Sequence, residues 1–156
     1  MAAVAKAFIA LGSNLGDREA TIRAAVAELG ATDGVEVVAV SSLEETDPVG
    51  YLDQPRFLNG AAELRTELAP RELLELLLSL EARFGRDRSA GPPQGPRTLD
   101  LDLLLYGAEV LAEPGLELPH PRLHERLFVL RPLAELDPAL EVPGKGPIQG
   151  LLAGLH

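Results

Sequence analysis

Two aspartates carry the most distinctive chemistry in this sequence. In the segment Gly95-Pro96-Arg97-Thr98-Leu99-Asp100-Leu101-Asp102-Leu103-Leu104 they alternate with leucines. Aspartate is a poor strand former, yet its apolar neighbours read as a strand, and a period of 2 puts both carboxylates on one face, about 6.5 to 7 Å apart at Cα. Two carboxylates that close repel each other unless a cation sits between them. Mg²⁺ suits the pair, because it takes oxygen ligands at about 2.0 to 2.1 Å and completes its shell with water and substrate phosphates. Two such metals about 3.5 to 4 Å apart can clamp both sides of an in-line phosphoryl displacement. Asp-x-Asp alone also describes the solvent face of a half-buried strand, so the neighbouring residues have to decide.

Those neighbours are basic. Arg83, Arg86, Arg88 and Arg97 stand against Asp87 within residues 83–97, a local charge of +3 that leaves −13 on the rest of the chain. Arginine presents a bidentate fork to phosphate oxygens, and the glycines and prolines around these four make a loop that could close over a substrate. A basic loop beside a carboxylate pair is what a polyphosphate–metal complex requires. Other phosphate and hydrolase chemistries fit less well. No G-x-x-x-x-G-K-[ST] segment exists and the chain has two lysines, which excludes a P-loop kinase. Gly12-Ser13-Asn14-Leu15-Gly16 lacks the full dinucleotide fingerprint and reads as a tight strand-to-helix turn. His120 and His124 have a helical metal-ligand spacing, but Pro119 and Pro121 hold His120 extended and H-E-x-x-H is absent, which argues against zinc. His156 is terminal, and no serine lies in a nucleophile elbow.

The chain has 156 residues, 46% hydrophobic and 24% charged, which is ordinary globular composition and enough for one domain with a core over residues 1–156. A net charge of −10 opposes a nucleic-acid coat. The absence of cysteine removes disulfides, thiolate nucleophiles and sulfur-ligated metals, and a cytoplasmic location is expected. Met1 to Leu11 reads as a first strand rather than a signal peptide, and no apolar stretch approaches the roughly 20 residues that cross a bilayer.

The elements that position these residues follow from periodicity. Lys6 to Leu11 is a short apolar strand, and Asp17 precedes a helix with Ile22, Val26 and Leu29 on one face, stopped by Gly30. Val35 to Leu43 is rich in β-branched residues and reads as a strand. Glu44 to Pro55, with two prolines and a glycine, reads as a long loop, and Phe57 to Arg65 as a further strand. Pro70 opens a helix with Leu73, Leu76, Leu77, Leu80 and Phe84 on one face and Gly85 at its end; by helical spacing alone Glu81 is an exposed charge. Arg86 to Pro96 is a second long loop and Thr98 to Tyr106 the Asp-x-Asp strand. Val110 to Leu118 is extended with a turn at Pro114-Gly115, and Leu123, Leu127 and Leu130 mark a helix running into Pro132. Strand, helix, strand, strand, helix, strand is the split βαβ order of an α+β, ferredoxin-like βαββαβ sandwich, a largely antiparallel sheet with helices packed on it and carboxyl-terminal additions.

Thr46-Asp47-Pro48-Val49-Gly50, Asp53-Gln54-Pro55-Arg56-Phe57-Leu58-Asn59 and Gly95 to Leu104, in this order, resemble the 6-hydroxymethyl-7,8-dihydropterin pyrophosphokinase family of folate synthesis. The resemblance extends from Gly12-Ser13-Asn14 to Pro119-His120 and Arg126-Leu127-Phe128. It implies transfer of the terminal diphosphate of ATP to the hydroxymethyl group of the pterin, releasing AMP, with two Mg²⁺ ions. Carried over by motif, Asp100 and Asp102 would hold the metals, and Arg86 and Arg97 would be catalytic. Glu81, Arg88, Arg97, His120 and Arg126 would serve ATP. Thr46, Asp47, Val49, Phe57, Asn59 and Phe128 would serve the pterin, with Phe57 and Phe128 as the two rings of a sandwich and Asn59 reading the heterocycle edge. ATP and the pterin would be the partners, with neither nucleic acid nor membrane, and the chain is expected to act as a monomer. The sequence departs from some relatives at Pro93-Gln94, in place of Arg-Trp in a loop one residue longer, and at Gly115 and Glu117, in place of Arg and Thr near the nucleotide. A different class of function, a non-catalytic ferredoxin-like ligand-binding module, would need neither the aspartate pair nor the arginine loop.

Overall fold

The computed structural model describes residues 4–47, 52–85 and 98–155. Val49, Arg86, Arg88, Arg97 and the whole loop expected over 86–96 therefore lie outside the described residues. Strand β1 (Ala5–Ser13) leads to helix α1 (Arg18–Gly30), and β2 (Val35–Val40), β3 (Glu44–Thr46) and β4 (Phe57–Thr66) follow. Helix α2 (Pro70–Arg83) precedes β5 (Asp100–Tyr106) and the hairpin β6 (Leu111–Glu113) and β7 (Leu116–Leu118). A 3-10 turn (Leu123–Glu125), α3 (Leu127–Leu136), β8 (Glu141–Val142), β9 (Gly146–Pro147) and α4 (Ile148–Ala153) complete the order.

The main sheet runs β2-β4-β1-β5, with β3 also paired to β4, and each neighbouring pair is antiparallel. Each helix crossover skips one strand, so β1 and β2 flank β4 while β4 and β5 flank β1. This is the α+β, ferredoxin-like arrangement that the element order implies. Alternation along β1 explains the layers. Ala7, Ile9 and Leu11 face a core completed by Ile22, Ala25 and Leu29 of α1 and Leu73, Leu77 and Leu80 of α2. Phe8 faces the opposite core, where Val129, Leu130 and Leu133 of α3 and Ile148 of α4 cover the second side of the sheet. The carboxyl-terminal additions thus seal the face that the βαββαβ unit leaves bare.

Local chemistry sets the ends of these elements. Asp17 caps α1 by accepting from the Ala20 N–H at 3.2 Å, and Glu72 caps α2 by accepting from the Ala69 N–H at 2.8 Å. Gly85 ends α2 at φ 89°. Gly30, by contrast, is still helical: Ala31 closes α1 at φ −87°, and the left-handed residue is Gly34 in the following turn. Three further expectations change. The strand from Val35 ends at Val40 rather than Leu43, because the ladder is only half kept at Ser41: its N–H donates to the Ala61 carbonyl at 2.9 Å, but its hydroxyl accepts from the Ala61 N–H at 2.9 Å, and Glu135 of α3 binds the Ser42 N–H at 2.7 Å. Gly60 permits this detour, since a Cβ there would lie 2.6 Å from Leu43 Cδ2. The chain then rejoins β4, so Glu44–Thr46, expected as loop, is strand β3 opposite Phe57–Asn59. Finally, the helix expected from Leu123 is broken at Arg126, which is extended at φ −126° and ψ 110°. Helix α3 begins beyond it and passes through Pro132, which costs the bond to the Phe128 carbonyl but lies buried.

Candidate active site

Both aspartates project from β5 into one cavity. Leu101 and Leu103 are 2% and 4% exposed on the core side, while Asp100 and Asp102 are half-buried on the opposite side and line the same space. The register of three strands builds its floor. Gly12 of β1 is paired with Asn59 of β4 on one side and with Asp100 of β5 on the other, and Ala10 is paired with Asp102. Two minimal side chains in β1 therefore leave an open channel between Asn59 and the carboxylates. The clearance is small: a Cβ at position 12 would lie 2.8 Å from Asn59 Oδ1 and 3.6 Å from Asp100 Cβ.

The walls come from outside this row. Phe57 enters from the start of β4, Thr46 from β3, His120 and Arg126 from the segment between β7 and α3, and Phe128 from the first turn of α3. The break at Arg126 is what turns both Arg126 and Phe128 toward the cavity, with the guanidinium 5.5 Å from the Phe128 ring centroid. The Asn59 amide donates to the Thr46 hydroxyl, which fixes its orientation and leaves its carbonyl beside Gly12. Strand β3 is itself held by charge. Glu45 accepts from Arg18 at 2.6 Å and from Arg56 at 3.1 Å, and the Arg18 hydrogen bond is the main reason its carboxyl titrates below its usual range. Asp47 lies at the rim, its side chain 88% exposed and paired with Arg56 Nε at 3.2 Å.

His120 is tied at two points. Its N–H donates to the Leu104 carbonyl at 2.9 Å, and its Nδ1 accepts from the Arg122 N–H at 3.3 Å, which leaves the proton of the neutral ring on Nε2. Burial, reinforced by the Arg126 charge, lowers its pKa below 6.5, although Asp100 and Glu117 pull the other way. A depressed histidine pKa stabilises the fold fully above the unfolded value and progressively less as pH falls through 6.5 toward the folded value. Urea unfolding of the ligand-free protein at pH 7.5 and 5.5 is thus expected to show a loss of stability at the lower pH that is smaller in His120→Gln. An equal loss in both proteins contradicts the assignment.

A second cavity of about 430 Å³ adjoins the first and shares Asp102 and His120 with it. Leu74 and Leu78 of α2, Leu103 of β5 and Leu116 of β7 give it apolar walls, and Glu117 gives it an acidic one. Arg71 anchors the hairpin on this side, donating to the Pro114 carbonyl and to Glu113, each at 3.0 Å. The two cavities together offer a ring-lined compartment that holds both carboxylates and a larger one that adjoins it at Asp102 and His120.

Residues 8–138 match the family model described as 7,8-dihydro-6-hydroxymethylpterin-pyrophosphokinase. The chain belongs to this family. A 2-amino-4-hydroxy-6-hydroxymethyldihydropteridine pyrophosphokinase of Bacillus subtilis is 54% identical over 86% of this chain and 80% of its own length. The protein of the same name from Pseudomonas aeruginosa is 45% identical over 96% and 91%. The folic acid synthesis protein fol1 of Schizosaccharomyces pombe is 42% identical over 88% of this chain, but over 18% of its own length. Membership in the family makes the chain a pyrophosphokinase of folate biosynthesis.

Within the family frame, the fold assembles Asp100, Asp102, Thr46, Asp47, Phe57, Asn59, His120, Arg126 and Phe128 around one cavity, although they span 83 positions of the sequence. Glu81 does not follow its expected position. It is 2% exposed rather than on the surface, lines neither cavity, and accepts from the Leu101 N–H at 2.7 Å. Gly12 is one of the cavity residues that the sequence does not assign to the site: it reads as part of a strand-to-helix turn, whereas it lies within β1, and its signal is a glycine near the end of an apolar strand. Gly12→Ala is expected to keep or slightly raise thermal stability, because alanine suits a strand better than glycine. It displaces the Asn59 amide, so the KM for the pterin should rise by roughly 10- to 100-fold, a cost typical of an ångström-scale misplacement. Steady-state kinetics with each substrate varied separately checks this; an unchanged pterin KM removes Gly12 from the site.

Proposed function

We propose that this pyrophosphokinase uses Mg²⁺ and transfers the terminal diphosphate of ATP to the hydroxymethyl group of 6-hydroxymethyl-7,8-dihydropterin. The pterin hydroxyl oxygen forms the new bond to the β-phosphorus, and the bridging oxygen leaves with AMP. The observation that carries this reading is that Asp100 and Asp102 share one compartment with Phe57 and Phe128, while Asp102 and His120 also border the adjoining cavity of about 430 Å³. The donor set fits magnesium. Two hard carboxylates project side by side, and among the described residues no third His, Cys, Asp or Glu joins them in a metal-binding group, which leaves coordination positions for water and phosphate oxygens. Two bound ions would neutralise the triphosphate and orient its β-phosphorus.

The protein side of the reaction is positioning and electrostatics. Phe57 and Phe128 hold the flat pterin, and Asn59, oriented by Thr46, reads its edge as donor and acceptor. Asp47 and Val49 add contacts from the preceding loop. His120 and Arg126 hold phosphate oxygens from the α3 side. Arg86, Arg88 and Arg97 are assigned to the phosphates by motif alone. The apolar walls of the second cavity receive the adenosine, with Gly115 and Glu117 at its rim.

We further read residues 1–156 as a single domain, which the recurrence of the same unit inside a much longer fungal protein supports. The cysteine-free composition supports a cytoplasmic location. A complete set of described site residues on one chain supports a monomer. No described helix is long and apolar enough to cross a membrane. The decisive assay measures AMP. AMP formed only when ATP, Mg²⁺ and the hydroxymethyl pterin are all present is the expected result, whereas ADP indicates transfer of a single phosphoryl group and no nucleotide product indicates a binding module.

A further inference from the structure

Among the described residues, Glu81 is the charged-type side chain buried to near completion, 2% exposed. Burying a carboxyl group is costly unless hydrogen bonds replace its water. The position of the group it serves suggests what that cost secures. Among the described residues, β5 pairs with β1 on one side and with no strand of the main sheet on the other. Along such an edge every second N–H points away from the ladder, where water ordinarily satisfies it. At Leu101 a buried side chain does so instead: Glu81 Oε2 accepts this N–H at 2.7 Å. Leu101 stands between Asp100 and Asp102, and its nitrogen belongs to the peptide plane that joins Asp100 to Leu101. Holding that plane restricts ψ of Asp100 and φ of Leu101, the two torsions that set the angle between the successive side-chain directions.

The seat is rigid. Glu81 lies one residue beyond Leu80 in the last turns of α2, and Leu73, Leu77 and Leu80 are fully buried against the sheet. The bond therefore couples a packed helix to the backbone between the two carboxylates, across 20 residues of sequence.

We propose that Glu81 is a positioning residue for the Asp100–Asp102 pair, acting on Mg²⁺ and ATP through the Leu101 peptide rather than by contact with the nucleotide. This rests on the reading of the two aspartates as the Mg²⁺-holding pair. Three variants separate the possibilities. Gln keeps an oxygen acceptor at the same reach, Asp keeps the carboxyl but withdraws it by one methylene, and Ala removes both.

Amide hydrogen exchange at Leu101 and calorimetric titration of Mg²⁺ with a non-hydrolysable ATP analogue are the readouts, with Asp100→Ala as the reference variant. In Glu81→Asp and Glu81→Ala, Leu101 exchange should speed up at least tenfold and the Mg²⁺ requirement for analogue binding should rise about tenfold, whereas Glu81→Gln stays within about threefold of wild type on both. Should the alanine variant fail to fold, the Asp and Gln variants carry the same comparison. Unchanged Leu101 exchange in Glu81→Asp overturns the proposal, as does a Gln variant as impaired as the Asp variant, which would assign the effect to charge. If Asp100→Ala itself leaves the Mg²⁺ requirement unchanged, the metal reading fails first, independently of the exchange result.

Discussion

Asp100→Ala and Asp102→Ala are each expected to lower kcat for AMP formation by about 10³-fold or more, because on the proposed reading this pair holds the Mg²⁺ that supplies several kcal/mol of charge stabilisation, and each 1.36 kcal/mol is a factor of ten. Stability should not follow. Both side chains are half-buried on the cavity face of β5, outside the two hydrophobic clusters, so the melting temperature should move by no more than about 2 °C. Loss of turnover with a retained melting transition separates this outcome from simple unfolding. Raising Mg²⁺ should recover part of the activity if one carboxylate still offers a foothold. Variants that keep activity within threefold of the wild type would exclude the metal-holding role and return the aspartates to the ordinary solvent face of an amphipathic strand.

The second large effect is expected at Phe128. Its ring lies half-exposed at the mouth of the cavity, on the first turn of α3, with Phe57 lining the same space. Losing about 100 Å² of apolar contact with a flat ligand costs about 2.5 kcal/mol, and losing a stacking contact adds about 1 kcal/mol. Phe128→Ala should therefore weaken pterin binding by roughly 100- to 400-fold, at about 1.4 kcal/mol per factor of ten. ATP binding should change far less, although not by zero, because Arg126 packs 5.5 Å from the same ring. Fluorescence titration with the pterin and calorimetry with the ATP analogue measure the two affinities separately. An equal loss in both would assign Phe128 to the local packing of α3 instead of to the ring-stacking compartment.

Much of this site is legible without coordinates because its strongest signals are local. The alternation of Asp100 and Asp102 with leucines places both carboxylates on one face of a strand whatever lies around it, and the structure keeps them there. Glycine and proline mark Gly85 at the end of α2 and Pro114-Gly115 in the β6–β7 turn for equally local reasons. The spacing at Leu73, Leu77 and Leu80 identifies the buried face of α2. The same spacing misplaces Glu81, because helical periodicity tells which residues share a face but not how wide the contact with the sheet is. Beyond Leu80 the packed stripe extends far enough to take in Glu81, and an unpaired edge N–H is there to meet it. Strand β3 and the break before α3 escape periodicity for a related reason. Three residues are too few to show a period, and Arg126 is extended although the leucine spacing through it reads as helix.

By itself, the sequence determined the types of the elements apart from β3 and the break before α3, the split βαβ order, the carboxylate face of β5 and the basic segment within an acidic chain, since each depends on residues within one or two turns or strands of one another. Tertiary structure alone decided the row Asn59–Gly12–Asp100, the seat of Glu81 behind Leu101 and the meeting of β3, β5 and α3 around one cavity. Those depend on strand register and on how far a helix face sinks into a sheet, which are fixed by packing between segments 20 to 93 residues apart. No period in the chain encodes them.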